Sequence, residues 1–446
     1  MLELLFQEDA VIKFRNLFMS LLTLCLCSLP VMSFAQGSDD DTKPEAKSES
    51  ETKSGSDEKP ESETAKQAAE QGDPVPPVKN WHHGGMLTPP APTAGSDTNV
   101  SLVPNPMISL GQFELNLHGR VQVLFGMVGE DANVSNGDVL SRDGFRIRRA
   151  RLGLDGRLSE HWLYSMELDL VDEDNGGNAL IDASIQYKPS QWAWVKAGAF
   201  KPPFSRTLLN SSGSMQFMER PIWVNLEHAT GAHVLDLDRE VGLSAGGQAS
   251  LFFYEVGVFN GSPGFSRGDL NNGLMYVLRF GLGMGELGKE EADLSRSDEL
   301  RWRFALNGYL NQDAAAEYRG AGADLSLKWY GVSFYAEALW AKGIPNSASE
   351  DVVTLLDEME KWGMYAQAGY VLPIDMMTLE LVARFAMMDD QVHVDDEGDL
   401  WEMTAGINAY FLDDLLKLMI HYSMREEIHG ADMSNDMLGA MLQVKF

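Results

Sequence analysis

Phe113-Glu-Leu-Asn-Leu-His-Gly-Arg-Val-Gln-Val-Leu-Phe125 is the stretch that best predicts how this chain folds. Apolar side chains take almost every odd-numbered position, and polar side chains take most of the positions between them. Successive side chains of a β-strand point to opposite faces. The alternation therefore predicts a strand with one apolar and one polar face.

The same period-two alternation recurs along the rest of the chain, for example in residues 162–170 and 379–385. We count about sixteen such segments, each of the roughly 9–14 residues that suit a tilted strand crossing a membrane. They begin near residues 112, 143, 160, 179, 191, 237, 251, 273, 299, 317, 331, 361, 376, 400, 415 and 435. Short turns and longer loops alternate between them, which is typical of outer-membrane barrels.

The predicted fold class is all-β: a transmembrane antiparallel β-barrel of about 16 strands in residues 111–446. A secreted soluble β-sandwich or β-solenoid is the alternative. The longest connection, residues 201–236, follows the fifth predicted strand. Loops of this length in a compact domain are usually functional or disordered, and we predict that this third loop folds into the bore. Residues 283–298 form another long connection, where the alternation calls for a short turn.

Composition restricts the function. The chain has 446 residues, 44% hydrophobic and 23% charged, with a net charge of -31. So acidic a balance argues against nucleic acid as a partner, because nucleic acid binding needs a basic surface. The two cysteines, Cys25 and Cys27, both lie in the N-terminal apolar run.

The first 110 residues differ in composition from the rest. Residues 1–35 resemble a secretory signal peptide, with basic Lys13 and Arg15, an apolar core at 17–29 and a small-residue cleavage site ending at Ala35. Translation starting at Val11 or at Met19 is the alternative to Met1. Residues 36–110 are acidic and Pro-rich, and we predict a disordered periplasmic arm. A simple tether and a contact with the cell wall are its two interpretations. The pair His82-His83 is too little to predict a metal site, and we predict no metal and no cofactor.

The second predicted strand contains a slip in its alternation. Apolar residues fall on odd numbers at Phe145 and Ile147 and on even numbers from Ala150 onward. A β-bulge at Arg148 and Arg149 would reconcile the two halves and direct both guanidiniums into the bore. Without it, an arginine would face lipid at a cost of roughly 2–4 kcal/mol near mid-membrane.

At this point the chain resembles a known family, the phosphate-selective porins O and P. The resemblance covers about residues 113–446. It is carried by Phe-Arg-Ile-Arg-Arg-Ala-Arg (145–151), Asp-Ala-Ser-Ile-Gln-Tyr (182–187), Gly-Ala-Phe-Lys-Pro-Pro-Phe-Ser (198–205) and Ser-Ser with Glu-Arg-Pro in 211–221. It implies a sixteen-stranded trimeric channel whose third loop folds inward.

The resemblance also implies the site residues. Arg148 and Arg149 match the paired constriction arginines, and the loop arginine, the loop serines and the lumenal aspartate match Arg220, Ser211, Ser212 and Asp182. Further lumen candidates are Arg146, Arg151, Arg206, Arg301 and Arg303. Two features depart from the family: Leu208 stands where a loop lysine is expected, and no arginine ladder is found around residues 305–320.

The predicted function is that of an outer-membrane porin in a Gram-negative bacterium. It would pass small hydrophilic solutes by diffusion, with a weak preference for anions, phosphate or polyphosphate among them. The expected partners are outer-membrane lipid, the barrel-assembly machinery, which would read the terminal Phe446, small ionic solutes, and two further copies in a homotrimer. The chain is not predicted to be an enzyme. The alternatives are a structural barrel that tethers the envelope and an outer-membrane hydrolase using His118 or His421.

Overall fold

The computed structural model describes residues 107–110, 112–128, 143–171, 180–225, 239–261, 273–312, 316–345, 359–374, 377–395, 398–412, 414–430 and 435–446. The predicted signal peptide, the pair His82-His83 and the predicted arm as far as residue 106 lie outside these ranges. No helix in the described part of the chain is long and apolar enough to cross a membrane.

Seventeen strands and two short helices are found in the described ranges. The strands are β1 (Met107–Leu110), β2 (Phe113–Val128), β3 (Gly144–Ser159), β4 (Trp162–Asp169), β5 (Leu180–Tyr187), β6 (Trp194–Phe200), β7 (Glu240–Ala249), β8 (Phe252–Phe259), β9 (Met275–Met284), β10 (Arg301–Gln312), β11 (Ala316–Trp329), β12 (Val332–Pro345), β13 (Met359–Val371), β14 (Thr378–Asp389), β15 (Leu400–Phe411), β16 (Leu416–Glu427) and β17 (Met437–Lys445). The helices are α1 (Arg206–Leu209) and α2 (Ile222–Asn225).

Strands β2 to β17 form a closed antiparallel barrel of sixteen strands. Each pairs with its neighbours in the chain, and β17 pairs with β2 along a seam from Met437 opposite Val128 to Lys445 opposite Arg120. The predicted barrel is therefore confirmed, and every predicted strand start lies within three residues of the observed one. Strand lengths vary more than predicted, from 7 residues in β6 to 16 in β2 and β3.

The wall is apolar outside and polar inside. In β14, Leu381 and Phe385 are exposed on the outer face, whereas Glu380 and Arg384 between them are buried in the interior. This is the reverse of the arrangement in a water-soluble protein, and it suits a barrel surrounded by lipid. The alternation of the sequence thus directs about half of the side chains of each strand, mostly polar ones, into the bore.

Strand β1 is a short addition that was not predicted. It pairs with the beginning of β2, from Leu110 opposite Phe113 to Met107 opposite Asn116. Regular structure therefore begins a few residues before the predicted barrel start at Gly111. At the same end of the barrel, Tyr330 and Gly331 join β11 to β12 with φ of 50° and 85°, which are the dihedrals of a type I′ hairpin.

Two connections enter the bore from opposite ends. The connection between β6 and β7 is described as far as residue 225; we call residues 201–225 the inner loop. The connection between β9 and β10, residues 285–300, comes from the end that carries the short turns; we call it the inner turn. Arg206 of the inner loop donates to Ser326 Oγ and Tyr365 Oη of the wall at 3.1 and 3.0 Å. The predicted inward fold of the third loop is confirmed.

Candidate functional site

The inner loop fills one side of the bore. Its Phe204, Ile222 and Trp223 are buried in an apolar cluster with inward-facing side chains of the wall between β8 and β15. The rings of Phe204 and Tyr309 meet edge to face, with their centroids 4.9 Å apart. This packed cluster closes one side of the bore.

Helix α1 of the inner loop is bound to the wall at its first turn. The backbone N–H groups of Arg206 and Thr207 donate to the two carboxylate oxygens of Glu337 in β12, at 2.8 and 3.1 Å. The first N–H groups of a helix have no partner within the helix, so the buried carboxylate satisfies them.

The tip of the inner loop contacts the seam between the first and last barrel strands. Gln122 Nε2 in β2 donates to Gln443 Oε1 in β17 at 2.6 Å and is 3.2 Å from the carbonyl oxygen of Ser212. Gln443 Nε2 donates to the carbonyl oxygen of Gly213 at 2.9 Å. Both glutamines are fully buried, so the loop tip and the seam share one hydrogen-bond network.

The predicted β-bulge is confirmed at Arg148. Gln122 lies opposite Arg149 and Val123 lies opposite Ile147, which leaves Arg148 as the extra residue. Both guanidiniums enter the interior and bind Glu219 of the inner loop. Arg148 Nε donates to Glu219 Oε1 at 2.7 Å, and Arg149 Nη2 donates to Glu219 Oε2 at 3.3 Å.

Glu219 remains ionised although it is buried. Burial by itself raises the pKa of a carboxyl group, but the guanidiniums of Arg148 and Arg149 more than offset this, and the pKa of Glu219 is lowered to about 2. Arg220, the next residue, holds the loop's own backbone. Its Nε and Nη2 donate to the carbonyl oxygens of Thr207 and Asn210, each at 3.1 Å.

An open cavity of about 430 Å³ lies on the other side of the inner loop, against the wall from β2 to β8. Five cationic and three acidic side chains line it: Arg120, Arg151, Lys196, Lys201, Arg239, Glu167, Asp182 and Glu255. Polar Ser165, Gln186 and Ser211 and apolar Trp194, Phe200 and Leu209 complete the lining.

All three arginines of this cavity have a carboxylate partner. Arg120 Nη2 is 3.2 Å from Glu167 Oε1, and Arg239 Nε is 3.0 Å from Asp182 Oδ2. Arg151 Nε is 2.6 Å from a carboxylate oxygen of Asp169.

The two lysines of the cavity differ from these arginines. Lys201 Nζ donates to the carbonyl oxygen of Asn210 at 3.0 Å, and Lys196 Nζ lies 4.3 Å above the ring of Phe200. Among the described residues, no carboxylate lies within 4 Å of either ammonium group. Their charges are therefore the least neutralised ones in the cavity.

The structure brings only part of the predicted site to this cavity. Asp182, Ser211 and Arg151 line it, and Ser211 Oγ accepts a hydrogen bond from Arg120 Nη1 at 3.2 Å. Arg148, Arg149, Ser212 and Arg220 are not among its lining residues. The arginines hold Glu219 and backbone carbonyls, and the side chain of Ser212 is only 3% exposed. Arg148 and Arg149 are buried in the wall strand β3, Ser212 is buried in the inner loop, and Arg220 is half-buried there.

The further lumen candidates also point into the barrel, but they serve other contacts. Arg206 pairs with Glu291, Arg301 pairs with Asp293, and Arg303 lies over the ring of Phe253 at 4.6 Å. Arg146 is half-buried on the inner side of β3 and does not line the cavity. Strand parity predicted the inward direction of Arg146, Arg301 and Arg303, but it did not predict their partners.

Sequence reasoning missed Arg120, Lys196, Lys201, Arg239 and Glu219 as functional residues. Parity and register contained a signal for one of them, because Arg120 lies directly opposite Arg151 between β2 and β3. Glu219 stands in the Glu-Arg-Pro motif, but only its neighbour Arg220 was predicted to be a site residue. Lys201 stands in the motif at residues 198–205, to which no site role was assigned.

Metal binding and hydrolysis have little support in the described residues. Asp395, Asp399 and His429 lie close enough together to bind a metal ion, at the end of the barrel with the long loops. No second feature of this group points to an ion. The histidines considered for a hydrolase have amide or carboxylate neighbours: His118 Nε2 is 3.0 Å from Asp155 Oδ1, and His421 Nε2 is 3.0 Å from Asn408 Oδ1.

Known proteins resemble this chain along the barrel. The model of a family described as "Phosphate-selective porin O and P" matches residues 116–446. An uncharacterized protein of Caulobacter vibrioides is 26% identical over 316 residues, covering 64% of this chain and 59% of that protein. The chain thus spans less than two thirds of that relative's length.

Solved structures with a similar fold include an anion-selective porin from Comamonas acidovorans. Its TM-score is 0.50 at 12% identity, over 75% of this chain and 100% of the porin. The outer membrane channel DcaP of Acinetobacter baumannii has a TM-score of 0.49 at 14% identity, over 76% of this chain and 99% of the channel. At such identities, the likeness to the Comamonas porin shows the fold alone.

Proposed function

The chain belongs to the phosphate-selective porin O and P family, and from this we propose that it is a passive outer-membrane channel with a weak preference for small anions. Family and fold support an outer-membrane channel. The preference for anions rests on the open cavity, where five cationic side chains face three acidic ones.

Local charge outweighs net charge in this proposal. Charges further away than a Debye length of about 10 Å are largely screened at moderate salt, so the acidic surface of the chain has little effect inside the bore. The ammonium groups of Lys196 and Lys201 then set the sign of the potential that a solute meets.

Glu167, Asp182 and Glu255 keep the preference weak. They line the same cavity as the cations, and they repel a multiply charged anion more strongly than a singly charged one. Conduction requires that a solute bind weakly enough to leave again. We therefore propose permeation of small hydrophilic solutes, phosphate among them, without a tight phosphate site.

Reversal potentials in a salt gradient across planar bilayers test this proposal. The double variant Lys196→Gln with Lys201→Gln should shift the reversal potential toward cations. The matched control is Lys188→Gln with Lys289→Gln, which removes two exposed lysines at the short-turn end and should leave the potential unchanged. A wild-type channel that prefers cations, or a control that shifts equally, would refute the proposal.

We also propose that the channel works as a homotrimer, as the family resemblance implies. The mass of the detergent-solubilised protein, measured by light scattering with the detergent contribution subtracted, should be that of three chains. If a monomer conducts with the same reversal potential, the ion selectivity does not depend on trimer assembly.

A further inference from the structure

The inner turn is joined directly to the inner loop inside the bore. Its Glu291 N–H donates to the carbonyl oxygen of Ser214 at 2.9 Å. The turn itself is held by Lys328 of β11, whose ammonium donates to the carbonyl oxygens of Leu287, Glu290 and Ala292. An anchored segment from the short-turn end thus meets a loop that enters from the opposite end.

The carboxylate of Glu291 binds the inner loop at three points. Its Oε1 accepts from Arg206 Nη2 at 2.6 Å and from Asn210 Nδ2 at 2.9 Å. Its Oε2 accepts from the backbone N–H of Gln216 at 2.8 Å. The fourth donor is Gln367 Nε2 of β13 at 3.0 Å, which fixes the same oxygen to the wall.

The loop residues that Glu291 binds lie on both sides of the segment that borders the cavity. Leu209 and Ser211 line the cavity, and both lie between Arg206 and Gln216 in the chain. Lys201 Nζ and Arg220 Nη2 donate to the carbonyl oxygen of Asn210, whose side chain donates to Glu291. Movement of Glu291 would therefore displace the loop wall of the cavity.

We propose that Glu291 is a positioning residue, which holds the inner loop in one place and thereby fixes the width of the passage. The glutamate is only 5% exposed, and removing one partner from a buried ion pair leaves an uncompensated charge. Displacing the loop would strip Glu291 of three of its donors and Arg206 of its carboxylate. The loop consequently has one strongly preferred position, and the channel one main conductance level. This inference rests on the proposed passage through the cavity.

Single-channel recording of Glu291→Gln tests the inference. The amide keeps the size of the side chain but loses the charge-assisted hydrogen bonds, so the time spent outside the main conductance level should rise about tenfold or more. Glu286→Gln is the matched control, because Glu286 is an exposed residue of the same turn. The control should switch as rarely as the wild type.

A double-mutant cycle distinguishes positioning from a general loss of stability. Arg206→Gln alone should also increase switching, and the double variant Arg206→Gln with Glu291→Gln should switch about as often as either single variant. Additive effects, or equal switching in Glu291→Gln and Glu286→Gln, would overturn the inference.

Folding and selectivity are checked separately. Heat-modifiable mobility in gels reports whether each barrel is closed, and Asn210→Ala provides a milder variant that removes a donor without stranding a charge; its switching should rise less than that of Glu291→Gln. If Asn210→Ala folds and switches no more than the wild type, the inference fails even where Glu291→Gln cannot be assembled. A wild-type preference for cations would refute the proposed function and leave the switching result intact.

Discussion

At the scale of single residues, the charge in this bore depends on which cations already have an acidic partner. The arginines of the family motif, Arg148 and Arg149, are bound to Glu219, whereas Lys196 and Lys201 line the open cavity. Arg148 and Arg149 therefore hold the inner loop, whereas Arg151 of the same motif and Lys201 of the motif at 198–205 line the cavity.

Glu219→Gln should increase the preference for anions. The substitution removes a negative charge beside two guanidiniums, and two unit charges about 8 Å apart in water interact by roughly 0.5 kcal/mol, which corresponds to about a twofold change in the permeability ratio. Reversal potentials measure this change. Glu299→Gln, at an exposed site in the inner turn, is the control, and an unchanged ratio in Glu219→Gln would contradict the prediction.

Glu219 should also make the stability of the folded chain depend on pH. Because its folded-state pKa is lowered to about 2, the ion pairs of Glu219 stabilise the folded chain at every pH above the ordinary carboxyl range. That contribution is lost only as the pH falls below about 4.5 toward 2. Glu219→Gln should therefore lower the thermal midpoint at pH 7, and the difference from wild type should shrink near pH 2.

Lys201 should make the anion preference of the channel depend on pH. Burial, together with the nearby charges of Arg220 and Arg239, lowers the pKa of Lys201 well below its ordinary value. As the pH rises, its charge is lost earlier than that of an ordinary lysine, so anion preference should fall below the usual lysine range. The Lys201→Arg variant should keep its preference to higher pH. Identical pH profiles for the two proteins would count against this assignment.

At the scale of elements, the wall could be predicted and the contacts across the bore could not. Strand positions and the bulge at Arg148 follow from local alternation, since a side chain of the wrong polarity would face lipid. The sequence showed the inner turn only as a long connection at a place where a short turn was expected. Its pairing of Glu291 with Arg206 joins residues 85 positions apart, and no local pattern encodes such a contact.

Removing residues 208–214 from the inner loop should raise the single-channel conductance. This segment includes Leu209 and Ser211, which border the cavity, and Leu208, which packs against the apolar cluster. A shorter control deletion of residues 392–394 in the exposed connection between β14 and β15 should leave conductance near the wild-type value. An unchanged conductance in the first variant would mean that ions take a route that this segment does not border.

At the scale of the whole molecule, the first barrel strand and the residue that follows the last one pair at Gly119. The backbone N–H and C=O groups of Phe446 pair with those of Gly119 at 3.1 and 2.9 Å. A Cβ atom at Gly119 would lie 2.4 Å from Cζ of the Phe446 ring, so glycine leaves room for the ring. The signal peptide and the arm before Met107 remain predictions from composition.

Deletion of Phe446 should impair assembly in the outer membrane. The variant loses the last backbone pair of the seam and the aromatic end of an alternating strand. The amount of heat-modifiable trimer in isolated outer membranes measures the effect, with Phe446→Tyr as the control that retains a terminal aromatic ring. A deletion variant present at wild-type levels would contradict the predicted role of this residue as an assembly signal.

The contact between the loop tip and the seam has a consequence for the order of events during biogenesis. Gln443 belongs to the last strand of the barrel, yet its side chain holds Gly213 from the inner loop and Gln122 from the first barrel strand. The inner loop cannot complete its bonds until the C-terminal strand arrives. A barrel that closed without the loop would leave the side-chain N–H of Gln443 without its acceptor on Gly213, at a cost in free energy. We therefore expect closure of the seam and completion of the loop's hydrogen bonds to occur together, so that an insertion intermediate with an open seam would lack a finished pore.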